Sequence, residues 1–322
     1  NVRMGGTPRK IGSSYGEAQF QVGYSLRQGT YNMKANHMHD SYEVYFLLSG
    51  QRKYFIRDRV YLIEKGDVVF VPKYDVHRTL DAGPHHERLL INFNDAFLES
   101  FYGEEKGKAR SLDLLRLFRK DSPTLRLAQE DRHFVEALCF RMIKEVTEKP
   151  AGFELYLKAL VMEMLVYLAR CSGKYGEAVT PFDSPLHQKI AEIANYIRAN
   201  YMKPLTLSHL SGRFYISTYY LSRAFKEISG FSFVEYLNHV RIQEAKRLLL
   251  ETDWKVLKIS EEVGFESIAH FGRVFKQMVH LSPMQYRRVQ RSHRPEGMPP
   301  SLRAKEAEAG KQALPDGRAS AR

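Results

Sequence analysis

The chain has 322 residues, of which 43% are apolar and 12% aromatic, so it can form two packed domains. No stretch approaches the roughly 20 apolar residues that cross a bilayer. Two cysteines cannot form a disulfide framework, so we expect a cytoplasmic protein rather than a membrane or disulfide-rich secreted one. The net charge is +12: residues 187–291 carry 16 basic and 9 acidic groups, against 27 and 24 in residues 1–186. This concentration of positive charge indicates a polyanion binder.

The N-terminal third of the chain predicts β-structure. Within residues 20–94, short apolar or alternating runs are separated by Gly, Asp and Pro. These runs predict at least five strands, at residues 43–48, 54–56, 60–63, 68–71 and 89–93. Short strands so close together predict a small antiparallel barrel or sandwich, which we place within residues 1–110.

Four polar side chains in this region have the spacing of a ligand or metal site. His37 and His39 point to one face of a strand, while Glu43 and His77 follow on later strands. Their spacing resembles the two motifs of the cupin fold, and all four customary metal-ligand positions are filled. Three interpretations stay open: a pocket that binds ligand hydroxyls, a transition-metal site, or histidines that pair with each other and with the backbone. Neighbouring candidates for the pocket lining are Arg52, Tyr54, Tyr42, Tyr45 and Tyr74.

The periodicity becomes helical at residues 111–171, where apolar residues recur every three or four positions. Such a helical hairpin either packs on its own barrel or dimerises with a second copy, and the sequence leaves both open. The stretch 172–186 contains Gly and Pro and predicts a linker. Residues 292–322 are rich in Pro, Gly, Ala and charge without periodicity, and they predict a disordered tail.

Residues 187–291 predict seven helices, separated by capping residues and glycines. The pattern repeats internally, because LSRAFK at 221–226 returns fifty positions later as FGRVFK at 271–276. Each copy predicts a short helix, a tight turn and a capped second helix with basic residues on its outer side. This predicts two helix-turn-helix units, whose second helices lie in the DNA major groove. The predicted fold class is α+β: a cupin-like barrel with a helical hairpin, then an all-α domain.

The same C-terminal segment resembles the DNA-binding domain of the AraC/XylS family of regulators. The resemblance rests on the repeated motif and on stretches such as PLTL at 204–207, SFVEYL at 232–237 and SPMQYR at 282–287. It implies that the second helix of each unit contacts DNA. The implied contact residues are Thr218, Tyr219, Ser222, Arg223 and Lys226 in the first unit, and Ser267, Ile268, Ala269, Arg273 and Lys276 in the second.

The residue types suggest different roles for these contacts. Arg223 and Arg273 can each bridge guanine O6 and N7, or can instead anchor their helices through an acidic neighbour. The two lysines suit phosphate contacts, which position the protein without reading sequence. Gly272 leaves the second reading face without a side chain, and His280 occupies a helix-ending position that favours Gly. We therefore expect the second unit to make mainly phosphate and thymine-methyl contacts.

The resemblance also implies a role for the N-terminal barrel, which senses a small molecule in AraC-type regulators, commonly a sugar. It implies a transcription regulator with double-stranded DNA, an effector, RNA polymerase and a second copy of the chain as partners. No cofactor and no catalytic residue are expected. The competing interpretation is a metal-dependent cupin enzyme tethered to DNA, in which turnover would be measurable. The predicted ligand-binding residues are His37, His39, Glu43, His77, Arg52 and Tyr54, and the first four are the metal ligands of the competing interpretation.

Overall fold

The computed structural model describes residues 9–29, 41–73, 75–102, 113–119, 122–174, 178–181 and 184–292. The chain divides into two compact units, Asn1–Tyr196 with Leu207–Val234 and Ile197–Thr206 with Glu235–Arg322. His37, His39 and Tyr74 fall outside the described residues. So does the predicted tail beyond residue 292.

The described strands form one antiparallel sheet in the first unit. They are β1 Arg9–Gly16, β2 Phe20–Gln28, β3 Tyr42–Ile56, β4 Arg59–Glu64, β5 Asp67–Val71, β6 His77–Phe93 and β7 Thr124–Arg126. Their spatial order is β1-β2-β6-β3-β5-β7, and β4 pairs with β3.

Two predicted strands, at residues 43–48 and 54–56, are halves of the single long strand β3. The pairing of β3 with β6 shifts register twice around Gly50, which bends the ladder without ending it. Gly50 has a φ of +83°, and a Cβ there would overlap the carbonyl oxygen of His85. Gly50 therefore marks a bulge within β3 rather than the end of a strand.

Helices pack on one face of this sheet. They are α1 Asp95–Tyr102, a 3-10 helix Leu114–Phe118, α2 Gln129–Glu148 and α3 Phe153–Lys174. Met142 of α2 and Met164 of α3 are buried in the same cluster as Phe46 and Ile91 of the sheet. Intramolecular packing of the predicted hairpin is therefore observed. Both cysteines are buried free thiols. No helix within the described ranges is long and apolar enough to span a membrane.

The opposite side of the sheet has a different chemistry, because side chains alternate along each strand. Apolar residues of this side, such as Leu47, Ile56 and Val69, form their own buried cluster with Tyr45 and Tyr54. Polar groups share the same side. We call it the inner face and define it by Glu43, Tyr45, Arg52, Tyr54, His77, His86 and Arg88.

The predicted seven helices are present in residues 184–292, all of which the structure describes. They are α4 Pro185–Asn200, α5 Leu207–Phe214, α6 Thr218–Ser229, α7 Phe233–Glu251, α8 Val256–Glu262, α9 Ile268–Val279 and α10 Pro283–Ser292. Helices α5 and α6 belong to the first unit, and α8 and α9 to the second. The α+β class predicted from the sequence is confirmed.

Candidate nucleic-acid interface and ligand-binding face

The first helix-turn-helix consists of α5 and α6. The hydroxyl of Ser211 donates to the carbonyl oxygen of Ile216 (2.6 Å), and the amide of Ile216 donates to the carbonyl of Ser211, which closes the turn. Ser217 then caps α6, because its hydroxyl accepts a hydrogen bond from the amide of Tyr220 (3.3 Å). The apolar side of α6 is buried, at Leu221, Ala224, Phe225 and Ile228.

The second helix-turn-helix, α8 and α9, repeats this construction. Gly264 supplies the turn with a φ of +88°, and a Cβ there would lie 2.7 Å from the carbonyl oxygen of Met202. Ser267 caps α9 by accepting from the amide of His270 (3.4 Å). The inward residues Phe271, Val274 and Phe275 are buried. The fifty-residue repeat seen in the sequence is therefore a repeat of caps, turns and buried positions.

The side chains predicted to contact DNA lie on the solvent side of these helices. Neither Arg223 nor Arg273 forms an ion pair with a carboxylate in the part of the chain that the structure describes. Among the described residues, the structure therefore gives no support to the alternative that either arginine anchors its helix through an acidic neighbour. Lys226 and Lys276 follow one turn later on the same exposed side. All ten predicted residues are exposed: Thr218, Tyr219, Ser222, Arg223, Lys226, Ser267, Ile268, Ala269, Arg273 and Lys276.

Other arginines of the second compact unit stabilise the fold by binding main-chain carbonyls, a role that was not predicted from the sequence. Arg241 donates from Nε to the carbonyl of Tyr201 (2.8 Å) and from Nη2 to that of Lys203 (3.0 Å). Arg287 donates from Nη2 to the carbonyl of Trp254 (2.7 Å). Carbonyls at and beyond helix C-termini lack partners within the helix, and a guanidinium satisfies several of them at once. Part of the basic charge is thus structural.

The two second helices end differently, and this difference is testable. Gly230 (φ +80°) and His280 (φ +62°) are left-handed caps, whose amides donate to the carbonyls of Lys226 and Lys276 at 2.9 Å. Because left-handed backbone strains a residue with a Cβ, we expect His280→Gly to raise the free energy of unfolding by about 0.5–1 kcal/mol. Gly230→Ala should lower it by about 1 kcal/mol or more, since its Cβ would also overlap Arg78. Urea unfolding measures both, and destabilisation by His280→Gly would contradict this account.

On the inner face, Glu43, Tyr54 and His77 form one buried group. The Tyr54 hydroxyl donates to Glu43 Oε1 (2.5 Å), and the other carboxylate oxygen lies 3.8 Å from His77 Nε2. Burial, followed by the nearby Glu43 carboxylate, raises the pKa of Tyr54 well above its ordinary value, so the phenol keeps its proton. His77 Nδ1 donates to the carbonyl of Asp75 (2.8 Å). The group presents a carboxylate, a phenol and an imidazole together.

A basic region adjoins this group. The ring of Tyr45 meets that of Tyr54 edge-on (5.3 Å between centroids), and the Arg88 guanidinium carbon lies 5.4 Å from the Tyr45 ring centre. Arg88 Nε donates to the hydroxyl of Ser25 (3.1 Å). Arg52, which is 1% exposed, forms an ion pair with Asp81 at 3.1 Å. A cation-rich region therefore continues directly from the carboxylate–phenol–imidazole group.

His86 lies in register with Arg27 of β2, on the same face as Arg88. Burial first, and then the charges of Arg52, Arg88 and Arg27, lower the pKa of His86 to about 3. The imidazole is therefore neutral at physiological pH. His86 and Arg88 were not singled out in the sequence, although their two-residue spacing on a strand opposite β3 was a usable signal.

The remaining predicted lining residues divide between the two faces. Tyr42 lies on the helix-packing side, where its ring contacts Phe118 (4.8 Å between centroids), because it stands one residue before Glu43. Of the four possible metal ligands, only Glu43 and His77 lie in the described ranges. Within those ranges, no group of three or more His, Cys, Asp or Glu side chains could hold a metal ion.

Comparison with known families now identifies the class. Residues 21–165 match the AraC-like ligand binding domain, and residues 210–289 match a helix-turn-helix domain. Strands β3 to β7, with all the residues that define the inner face, lie in the first match, and both capped helices lie in the second. The chain belongs to the AraC family of transcription regulators.

Individual relatives are similar to parts of this chain. Regulatory protein PocR of Salmonella typhimurium is 34% identical over 133 residues, 41% of each chain. The HTH-type transcriptional regulator YfiF of Bacillus subtilis is 25% identical over 268 residues, 78% of each chain. The solved C-terminal domain of AraT, a response regulator from Geobacillus stearothermophilus, is 32% identical and covers 36% of this chain and 95% of that one, with a TM-score of 0.33. The chain thus spans about two fifths of the length of PocR.

Proposed function

We propose that the chain is a cytoplasmic, sequence-specific transcription regulator that binds double-stranded DNA through α6 and α9 and responds to a small polar ligand held on the inner face. The observation that carries the proposal is the pair of serine-capped helices, fifty residues apart, each with an exposed Arg and Lys one turn apart. An arginine with no carboxylate partner is free to bind guanine bidentately, and the lysine beyond it reaches phosphate. The two helices then contact successive major-groove faces about 34 Å apart.

The two helix-turn-helix units contribute unequally in this proposal. Around Arg223, the first unit presents Thr218, Tyr219 and Ser222, which can donate or accept hydrogen bonds at base edges and phosphates. The second unit presents Ile268 and Ala269, which suit thymine methyl groups. The first unit therefore supplies most of the base discrimination, and the second mainly adds affinity.

A carbohydrate is the ligand that we propose for the inner face. Carboxylate, phenol and imidazole groups beside aromatic rings suit a hydroxylated molecule, and Glu43, Tyr54 and His77 supply them. The relatives reported above are named as regulators, which favours sensing over a metal-dependent reaction. RNA polymerase and a second copy of the chain stay in the proposal as partners, the second through the helices within residues 111–171.

Contacts within the first compact unit of the fold connect the inner face to helix α6, so ligand binding could affect DNA binding through them. Inner-face residues of β3 and β6 alternate with Phe55 and Arg78, which lie opposite each other and face the other way. The Phe55 ring lies 6.1 Å from that of Phe231, and Arg78 Nη1 donates to the carbonyl oxygen of Gly230, the cap of α6. A ligand that shifts these two strands would therefore act on the recognition helix itself.

Selection of DNA from a random duplex library tests the DNA-binding part. The purified chain should enrich one sequence motif and bind the selected duplex about 10³-fold or more tighter than a shuffled duplex of equal length. Both affinities should fall steeply with salt, since phosphate contacts contribute to each. Enrichment of no motif, or equal affinity for both duplexes, would contradict sequence-specific regulation.

A further inference from the structure

The inner face contains buried polar atoms that no described residue satisfies. The Tyr45 side chain is 0% exposed and His86 is 2% exposed. The hydroxyl of Tyr45 and Nδ1 of His86 have no hydrogen-bond partner in the described part of the chain. Because an unsatisfied buried polar group costs about 1–3 kcal/mol, two of them on one surface indicate that a bound molecule supplies the partners.

The same surface carries positive charge. Among the described residues, Arg88 pairs with no carboxylate, and its contacts are the Ser25 hydroxyl and the Tyr45 ring. Arg52 and Arg27 are close enough to act electrostatically on the same His86 imidazole as Arg88. A neutral sugar needs no guanidinium, whereas a carboxylate or phosphate is bound by arginine with paired, charge-assisted hydrogen bonds.

The acidic and basic parts of the face are close enough for one small molecule. Tyr45 stands between them, with its ring 5.3 Å from the Tyr54 ring and 5.4 Å from the Arg88 guanidinium. On one side Glu43 and Tyr54 can bond hydroxyls. On the other side, a donor from Tyr45 lies beside the cation of Arg88. The two parts fit a ligand with hydroxyls at one end and an anion at the other.

We infer that the ligand of this face is a hydroxylated anion, a sugar acid or a sugar phosphate, whose charged group binds Arg88 beside Tyr45 and His86. This rests on the proposed ligand-sensing role and narrows it from any carbohydrate to an anionic one. Carboxylate and phosphate share the chemistry that the arginine recognises, so both are included.

Titration calorimetry with the full chain tests this inference on matched sets of three compounds. Each set contains a neutral sugar or polyol, its acid and its phosphate: glucose, glucuronate and glucose 6-phosphate; galactose, galacturonate and galactose 1-phosphate; glycerol, glycerate and glycerol 3-phosphate. At least one anion should bind with a stoichiometry of one and at least tenfold tighter than its neutral counterpart. The set member that binds tightest distinguishes carboxylate from phosphate.

Arg88→Met should weaken binding of that anion at least tenfold, and Arg88→Lys should recover part of the loss. Arg59→Met is the matched control, because Arg59 is an exposed arginine of β4 paired only loosely with Asp58 (3.8 Å), and it should bind as the wild type does. Urea unfolding of each variant separates a lost site from a lost fold.

Three results would overturn the inference: binding of no anion, equal binding by neutral and anionic members, or equal binding by wild type and Arg88→Met. These calorimetry results do not test the proposed DNA-binding function, because the experiment contains no DNA. A chain that binds an acid without any change in DNA affinity contradicts sensing alone. A chain whose DNA affinity responds to a neutral sugar contradicts the anionic ligand alone.

Discussion

Replacing Arg223 with alanine is expected to weaken binding to the selected duplex by about 1–3 kcal/mol and to relax the preference at one base position. The side chain lies on the exposed side of α6, where the Ser217 cap fixes the helix start and no carboxylate in the described part of the chain competes for the guanidinium. A bidentate contact to guanine discriminates against the other bases by about that amount. Fluorescence anisotropy on duplexes with single-base changes measures it.

Lys226→Ala provides the comparison for this experiment, because Lys226 lies one turn from Arg223 on the same exposed side. A phosphate contact carries no sequence information, so its loss should weaken binding to every duplex alike. It should also reduce the slope of log K against log salt by about 1. If Arg223→Ala behaved in the same way, with equal losses on all sequences, Arg223 would be a phosphate contact and base reading would lie elsewhere.

Replacing Glu43 with glutamine is expected to abolish the response of DNA binding to the ligand. Glutamine keeps the size of the side chain and an acceptor for the Tyr54 hydroxyl, but it removes the negative charge beside His77. We propose that this charge binds the ligand hydroxyls. Charge-assisted hydrogen bonds are about twice as strong as neutral ones, so affinity for a hydroxylated ligand should fall sharply. The readout is the change in affinity for the selected duplex on adding each compound of the calorimetry panel.

Glu64→Gln is the matched control for this substitution. Glu64 is exposed at the end of β4, where it accepts from Gln51 Nε2 (2.9 Å). It should respond to the same compounds as the wild type. Urea unfolding shows whether Glu43→Gln is still folded. A folded Glu43→Gln protein with a full response would remove Glu43 from the ligand-binding residues.

The C-terminal helices could be predicted from the sequence because their signals are local. A serine before a helix, a glycine after it and apolar residues every three or four positions act within one or two turns. The fifty-residue repeat doubled each signal and predicted a capped second helix in each copy, and Ser217 and Ser267 form these caps. His280 was likewise expected to be strained, and its φ is positive.

The sequence could not show which arginines of the second compact unit are exposed and which bind main-chain carbonyls. Arg273 faces solvent, whereas Arg241 and Arg287 bind main-chain carbonyls some 30 to 40 residues away in the sequence. Composition counts all three as positive charge. Only tertiary structure decides which carbonyls lie within reach of a guanidinium.

The inner face was predicted in part. The cupin-like spacing predicted that Glu43 and His77 share one site. In the structure they lie on different strands, and Glu43 Oε2 is 3.8 Å from His77 Nε2. His86 and Arg88 were missed because the sequence does not give the register of β2, β3 and β6, and register decides which side chains meet across a sheet. The basic character of this face, and with it the anionic ligand, follows only from that register.

The proposed mode of DNA binding requires both recognition helices, α6 and α9, to bind the same DNA molecule. Hydroxyl-radical footprinting of the selected duplex measures this, with wild type, Arg223→Ala and Arg273→Ala compared at saturation. We predict two protected segments about one helical turn apart. Arg223→Ala should weaken protection mainly in one segment and Arg273→Ala in the other. A single protected segment that both substitutions weaken equally would contradict DNA reading by two helix-turn-helix units.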